Sequence, residues 1–482
     1  MSSLPVNLYA QWRAQNLAAQ SLQDADARTP PPERFLQQVW FHQRLLRDRL
    51  QTFDGRKVQV LHPGFWNREA GPDFRSAVLQ FETEPPRSGD VEVDLHPAGW
   101  RGHRHDTNPA YKNVCLHVVW DDGEQTRTAL PTVALRTVLD APLNELLLWL
   151  GSDATPTLPE GLVGKCSGPL RDLPAEQVTE LLHQAALVRL QAKAAAFQAR
   201  ARQTGWEQCL WEGLFGALGY KHNVWPMRRV AELLPQLAAR EASGPLGPLA
   251  LQARLLGVSG LLPADTPRAD AGVGNYLRQV WDHWWRERET FSDSILPRAV
   301  WRLSGLRPAN QPARRVALAA HWVAAGDLPA RIEKWLTAPQ KDSSLVSSLL
   351  AVLQVEHDEF WSWRWTFRSA RLPKPQPLLG AARVTDLAGN VILPWLWMRA
   401  ASGQNDDVRQ TVEARYFAWP AGEDNAVLRL ACQRLLGGAS ARSLRTAAAQ
   451  QGLLQIVRDF CDYSNAICEN CRFPELVRSL KK

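Results

Sequence analysis

Between Asn67 and Trp120 the chain concentrates side chains that can hold a metal ion or carry a proton. His62, His96, His103, His105 and His117, five of its eleven histidines, fall there or just before, among Asp73, Glu92, Asp94 and Asp106. In Val91–His96 the apolar Val91, Val93 and Leu95 alternate with Glu92, Asp94 and His96. A strand over these residues puts the three polar groups on one face, with neighbours about 7 Å apart, so that two carboxylates and an imidazole can converge on one ion. A second constellation closes the chain, Cys461-x6-Cys468-x2-Cys471. Two thiolates in a C-x-x-C chelate a metal, and a third nearby makes three ligands for a borderline or soft ion. Cys166 is the first candidate for a fourth ligand and Cys432 the second. Cys115 and Cys209 read as packing residues.

The elements that must position these groups follow from pattern. Pro30-Pro31-Pro32-Glu33 starts a helix whose apolar face, Phe35, Leu36, Val39, Trp40, Leu46 and Leu50, predicts continuation to about Leu50. Lys57–Leu61, Ser76–Phe81 and Val91–His96 read as strands, with a turn at Pro85–Gly89. Asn108–Asn113 reads as a helical turn, Val114–Trp120 as a buried strand, and Thr128–Val138 as a further strand. Met1–Arg28 is polar and predicts one peripheral helix. Pro- and Gly-rich Ser152–Leu162 reads as a linker, and beyond Leu170 the spacing is helical almost throughout, as over Glu176–Ala201, Arg228–Arg240, Leu345–Glu356 and Ala426–Leu436, with breaks at Gly244–Gly247, Leu262–Gly274 and Leu372–Gly380. The expected organisation is an extension over 1–32, an α+β domain over 33–140 and a helical domain over 141–482.

Composition narrows the class. The chain has 482 residues, 45% hydrophobic and 22% charged, as folded globular proteins do. A net charge of +7 is compatible with a phosphate-rich partner without requiring one. No apolar run approaches the roughly 18 residues of a membrane span, the first residues lack a signal-peptide core, and seven cysteines do not form a secreted disulfide pattern. A cytoplasmic protein is the expectation. The 21 tryptophans, mostly in helical stretches, read as core packing rather than as base-stacking platforms.

The order helix, three strands, short helix, strand resembles the core of the restriction-endonuclease-like nucleases, with Pro72-Asp73 before the second strand and Glu92-Val93-Asp94 on the third. That resemblance implies an αβββαβ core in which Asp73, Glu92 and Asp94 hold Mg²⁺ or Mn²⁺ against a phosphodiester of DNA or, less favoured, RNA. Asp94 stands where that pattern has lysine, so the missing positive charge would fall to His103, His105, Arg101 or Lys112. Glu33 stands where several such nucleases carry an additional acid, although a first-turn glutamate also suits the helix dipole alone. Some nucleases of this kind hold an iron–sulfur cluster by one early and three late cysteines, which implies zinc or such a cluster at Cys166, Cys461, Cys468 and Cys471. Arg307, Arg314 and Arg315 are candidate phosphate contacts. The other reading is a nucleic-acid-binding or scaffolding protein that keeps the fold without catalysis. More closely, Gly71-Pro72-Asp73-Phe74, Trp100-x-x-His103-x-His105-Asp106 and Tyr111-x-x-Val114-x-Leu116-His117, with later motifs such as Arg307-Pro308-x-Asn310-x-Pro312 and the final cysteines, are similar to the bacterial family called domain of unknown function 2851. Asp94 replaces a histidine usual in that family.

Overall fold

The computed structural model describes residues 7–21, 31–67, 70–121, 130–143, 146, 163–238, 246–264, 271–355, 357–437, 444–461, 468 and 471–480. The predicted linker over 152–162 lies outside these residues, as do parts of two predicted breaks, around 244 and 265–270.

Helix α1 covers Leu8–Ser21 and helix α2 covers Glu33–His42. Pro32 supplies the extended residue ahead of α2, and Glu33 complements its positive end. Phe35, Leu36, Val39 and Trp40 form its buried face. The helix stops well before Leu50, because Gln43 takes a left-handed conformation (φ 48°) that ends the hydrogen-bond ladder. Leu45 and Leu50 still join the same core, from an irregular segment.

Six strands follow: β1 Val58–His62, β2 Phe65–Trp66, β3 Phe74–Phe81, β4 Arg87–Val93, β5 Val114–Val119 and β6 Thr132–Ala134. They form one mixed sheet in the order β1-β3-β4-β5-β6, with β2 paired to β3. The β1–β3 and β3–β4 pairs are antiparallel, while β4–β5 and β5–β6 are parallel. A parallel pair needs a crossover, and here it runs through a four-residue helix, α3 (Gly99–Gly102), and a 3-10 turn at Pro109–Tyr111. The crossover leaves from the carboxyl end of β4, where open sheets with parallel strands bind ligands. In β3 a bulge at Ser76 (φ 56°) lets Phe74 and Ala77, an odd number of residues apart, both enter the core.

Val91, Val93, Leu116 and Val118 pack with the apolar face of α2. Leu61 and Val78 join the core of the helical region, so the sheet carries cover on both faces. That region is built on helix α4 (Ala175–Thr204), 30 residues long. The helices predicted at Glu176–Ala201, Leu345–Glu356 and Ala426–Leu436 are found at Ala175–Thr204, Leu345–Leu353 and Ala426–Leu436. Arg228–Arg240 divides into Val224–Glu232 and Leu234–Leu237, with Pro235 inside the second. Trp361, Trp395 and Trp419 are fully buried, in line with packing, whereas Trp285 is 64% exposed. Among the described residues no helix is long and apolar enough to cross a membrane.

The expected peripheral amino-terminal helix proves to be a core element. Tyr9 and Trp12 of α1 pack in one cluster with Leu453, Phe460 and Phe473 near the other end of the chain. The Tyr9 hydroxyl donates to Asp459 Oδ2 at 2.7 Å, and Arg13 Nε lies 3.2 Å from the same oxygen. Tyr9→Phe removes a buried hydrogen bond to a carboxylate and is expected to lower stability by about 1–3 kcal/mol, read as a fall in the urea midpoint at unchanged slope.

Candidate metal centre

Three of the predicted acids meet where β3 begins and β4 ends. The backbone N–H of Asp73 donates to Glu92 Oε2 at 3.1 Å, and Asp73 Oδ2 accepts from the Val93 N–H at 3.0 Å. These reciprocal bonds bring the first acid of one strand against the last acid of its antiparallel neighbour. Gly71 (φ 111°) turns the chain into Pro72-Asp73 through a conformation that L side chains rarely adopt. Glu92 and Asp94 share a face by alternation, and both are buried. His96 does not join them. The strand ends at Val93, so alternation lapses, and the exposed His96 ring lies 3.6 Å from Asp121 instead.

Three histidines approach Asp94 and Glu92. His103 Nδ1 lies 3.1 Å from Asp94 Oδ1, His117 Nε2 lies 2.9 Å from Asp94 Oδ2, and His105 Nε2 lies 3.2 Å from Glu92 Oε1. Asp94, His103 and His105 each offer a ligand atom within 4.8 Å of the other two. The loop is shaped for this approach. Gly99 passes so close that a Cβ would stand 2.7 Å from the Asp94 carboxyl carbon, and Arg104 between the two histidines is left-handed (φ 59°). A non-glycine residue pays strain there. His105 stacks on Tyr111 at 4.0 Å between ring centres, and Trp100 lies against both His105 and His117. His62 stands apart as a buried strand-end residue whose Nδ1 accepts from the Gly64 N–H, and burial pushes its pKa down to about 4.

Pattern reading undervalued the far side of the site. Gln37 Nε2 donates to Asp73 Oδ1 at 2.9 Å and approaches Glu33 Oε1 at 3.3 Å. Burial and then the Asp94 charge raise the Glu33 carboxyl, so this first-turn acid belongs to the cluster as well as to the helix end. The Glu33/Gln37 spacing of one helical turn was the available signal. Trp100 and Tyr111 stood in the family-like motifs without a role assigned to their rings. His117, a core residue with no exposure, is also the partner of Asp94.

The basic candidates fare differently. Arg101, Lys112 and Arg307 are exposed. Arg101 and Lys112 form no ion pair with the acids among the described residues. Arg314 and Arg315 correct the expectation of a phosphate-facing surface. They are 1% and 4% exposed, and their guanidiniums donate to the carbonyls of Trp361, Gln376, Pro377 and Leu378. Arg315 also donates to the Tyr220 hydroxyl and Asn310 Oδ1, so both guanidiniums are engaged by groups inside the helical packing.

At the other constellation, Cys166 and Cys461 are buried and Cys468 and Cys471 half-buried. Burial, then the charges of Cys471 and Cys468, push the Cys166 thiol up to about 12; burial and Cys166 do the same to Cys461. Cys166 is thus within electrostatic reach of the other three sulfurs, although among the described residues no three of the four lie within 4.8 Å of one another, and Arg434 Nη2 donates to Cys468 Sγ at 2.9 Å. Cys432 is raised by burial and Asp424, not by a cysteine. Cys209 packs, donating to the Trp206 carbonyl, and Cys115 lies against the backbone of Asp90.

The sequence profile of a family described as "Protein of unknown function (DUF2851)" matches residues 33–425. The chain belongs to the DUF2851 family. No curated protein and no solved structure matches it. The DUF2851 match opens on the first residue of α2 and takes in the whole sheet and all the clustered acids and histidines. It ends before Cys461, Cys468 and Cys471, so the final cysteines lie outside the matched region although Cys166 lies inside it.

Electrostatics gives this DUF2851 site a pH signature. Burial, opposed by the Val93 N–H and reinforced by Glu33, raises Asp73 from 3.8 to about 7. Burial and the Asp73 charge raise Glu92 from 4.5 to about 9. Both folded-state values lie above the unfolded ones, so between about pH 4 and 9 the native state binds more protons than the unfolded chain. The contribution of these groups to stability is complete below about pH 4 and is lost as pH rises through 7 and 9. In chelator, the thermal midpoint should fall from about pH 6 to pH 9, and Glu92→Gln should flatten that fall. Mg²⁺ or Mn²⁺ should raise the midpoint more at the higher pH, where fewer protons compete for the carboxylates.

Proposed function

We propose that this protein is a metal-dependent nuclease that hydrolyses phosphodiester bonds of DNA or, less favoured, RNA. The observation that carries the reading is the Asp73–Glu92 pair. Two carboxyls are held against each other across antiparallel strands, each raised by burial, with like charge acting between them. Like charges in that position are compatible with ionisation once a divalent cation neutralises them. The order of α2, β1, β3, β4, crossover and a parallel β5 supports a restriction-endonuclease-like core. A cation bound there would neutralise the scissile phosphate and acidify a water. The protein's own groups have other tasks. Gln37 and the Val93 N–H orient Asp73, His105 orients Glu92, and His103, the most exposed imidazole of the group, is placed to exchange a proton with solvent.

One observation favours the alternative of a non-catalytic nucleic-acid-binding protein. Asp94 occupies the place of lysine and is engaged by His103 and His117. Purified protein incubated with linear DNA, circular DNA and RNA in Mg²⁺ and in Mn²⁺ separates the two readings. Cleavage is expected, with Asp73→Ala and Glu92→Ala each reducing it by about 10²-fold or more while the thermal midpoint in chelator holds or rises, since like-charge repulsion is relieved. Nucleic acid bound but left intact by the wild type under every cation would establish the alternative.

For the cysteines we propose zinc or an iron–sulfur cluster held by Cys166, Cys461, Cys468 and Cys471, supported by their mutual electrostatic influence across nearly the length of the helical region. Such a centre stabilises the fold directly, because the unfolded chain cannot assemble its ligands. Anaerobically prepared protein should contain stoichiometric zinc, or iron with sulfide. Cys468→Ser should lose it and unfold at lower temperature without changing Mg²⁺ binding at Asp73. Substoichiometric zinc and iron in the wild type would reduce these cysteines to packing.

A further inference from the structure

The acids and histidines do not form one uniform site. Asp73 bonds to Glu92 and, through the Gln37 amide, to Glu33, making a group with oxygen donors only. Asp94, His103 and His105 make a separate group with two imidazoles and one carboxylate. We propose that this second group is a cation subsite of its own, built for a nitrogen-accepting first-row transition metal such as Zn²⁺, Co²⁺ or Mn²⁺ rather than for Mg²⁺. The inference deepens the nuclease reading by assigning the two halves of its site to different ions.

Four observations converge. The three candidate ligand atoms already lie within 4.8 Å of one another. A tetrahedral ion with bonds of about 2.0–2.1 Å needs donors roughly 3.3 Å apart, so modest rotations of side chains close the set. The His105 ring is nine-tenths buried, and its Nδ1 has no hydrogen-bond partner. Its Nε2 faces Glu92 Oε1 at 3.2 Å, and an Nε2–H donated to that oxygen leaves the Nδ1 lone pair free for a metal. Carboxylate–imidazole support of this kind orients metal-binding histidines in general. Asp94 is held on its far oxygen by His117 Nε2 at 2.9 Å, which leaves Oδ1 toward His103. Finally, the left-handed Arg104 and the Tyr111 stack hold the histidine rings 5.3 Å apart. Strain at a non-glycine residue persists where the surrounding structure fixes it, and such residues gather at functional sites.

The choice of ion follows from the donors. Imidazole suits zinc, cobalt, manganese and iron, whereas Mg²⁺ prefers an octahedron of oxygens and gives up water reluctantly. Three protein ligands leave at least one position for water or a substrate oxygen. The oxygen-only group remains the place for Mg²⁺.

Co²⁺ reports on this subsite without nucleic acid or turnover. Full-length protein stripped with chelator and titrated with Co²⁺ should develop intense visible d–d absorption, and Mn²⁺-loaded protein should show ¹⁴N couplings by pulsed electron paramagnetic resonance. His103→Ala, an exposed and therefore structurally mild change, should weaken Co²⁺ binding by about 10²-fold and remove its ¹⁴N coupling, with that of His105 retained. Asp73→Ala should leave both signals intact, and a 100-fold excess of Mg²⁺ should not displace Co²⁺. Wild-type protein lacking ¹⁴N coupling would overturn the subsite even if it cleaves DNA with Mg²⁺, and so would Co²⁺ affinity unchanged in His103→Ala. Nitrogen-coupled Co²⁺ in a protein that cleaves nothing would retain the subsite and end the nuclease reading instead.

Discussion

Two carboxyl groups pressed together across a strand pair set the terms for the rest of this site. Asp73 and Glu92 exchange hydrogen bonds with each other's strands, in a place with little water and no lysine or arginine within ion-pair distance among the described residues. Such groups stay protonated or share a cation; full ionisation without one is costly in a medium of low effective dielectric. The surrounding architecture serves that constraint. A bulge at Ser76 sets the start of β3, a parallel crossover carries His103 and His105 to the carboxyl end of β4, and the second turn of α2 brings an amide to orient Asp73.

The histidine loop adds selectivity to charge. Gly99 allows backbone to lie against the Asp94 side chain, a proximity that any larger residue would forbid. His117, sealed between apolar strand residues, can reach Asp94 only because β4 and β5 run parallel and place their carboxyl ends side by side. The same parallel pairing makes the crossover necessary, and the crossover carries His103 and His105. Topology and chemistry here are one arrangement.

Much of this was legible in the order of residues. Alternation across Val91–His96 found the carboxyl half of the central strand, which begins at Arg87 inside the expected turn and ends at Val93, and local spacing alone made the density of acids and histidines visible. What the pattern misread depended on chain geometry that local spacing does not encode. His96 fell off the shared face because β4 ends at Val93; α2 ended early because Gln43 is left-handed; Arg314 and Arg315 turned inward because carbonyls at 361 and 376–378 approach from distant sequence. For Gln37 the spacing from Glu33 puts the two on one face of the helix, but it does not tell that the amide will meet an aspartate 36 residues later. The cysteines are a different case, since spacing names the candidates while only the coordinates show that Cys166, and not Cys432, feels the late thiols.

The joining of Tyr9 to Asp459 bears on how the chain is made. Helix α1 has its hydroxyl partner 450 residues further along the chain. During synthesis Tyr9 and Trp12 therefore cannot complete their packing until Asp459 and its neighbours have emerged, so this contact forms late whatever the rest of the fold has done.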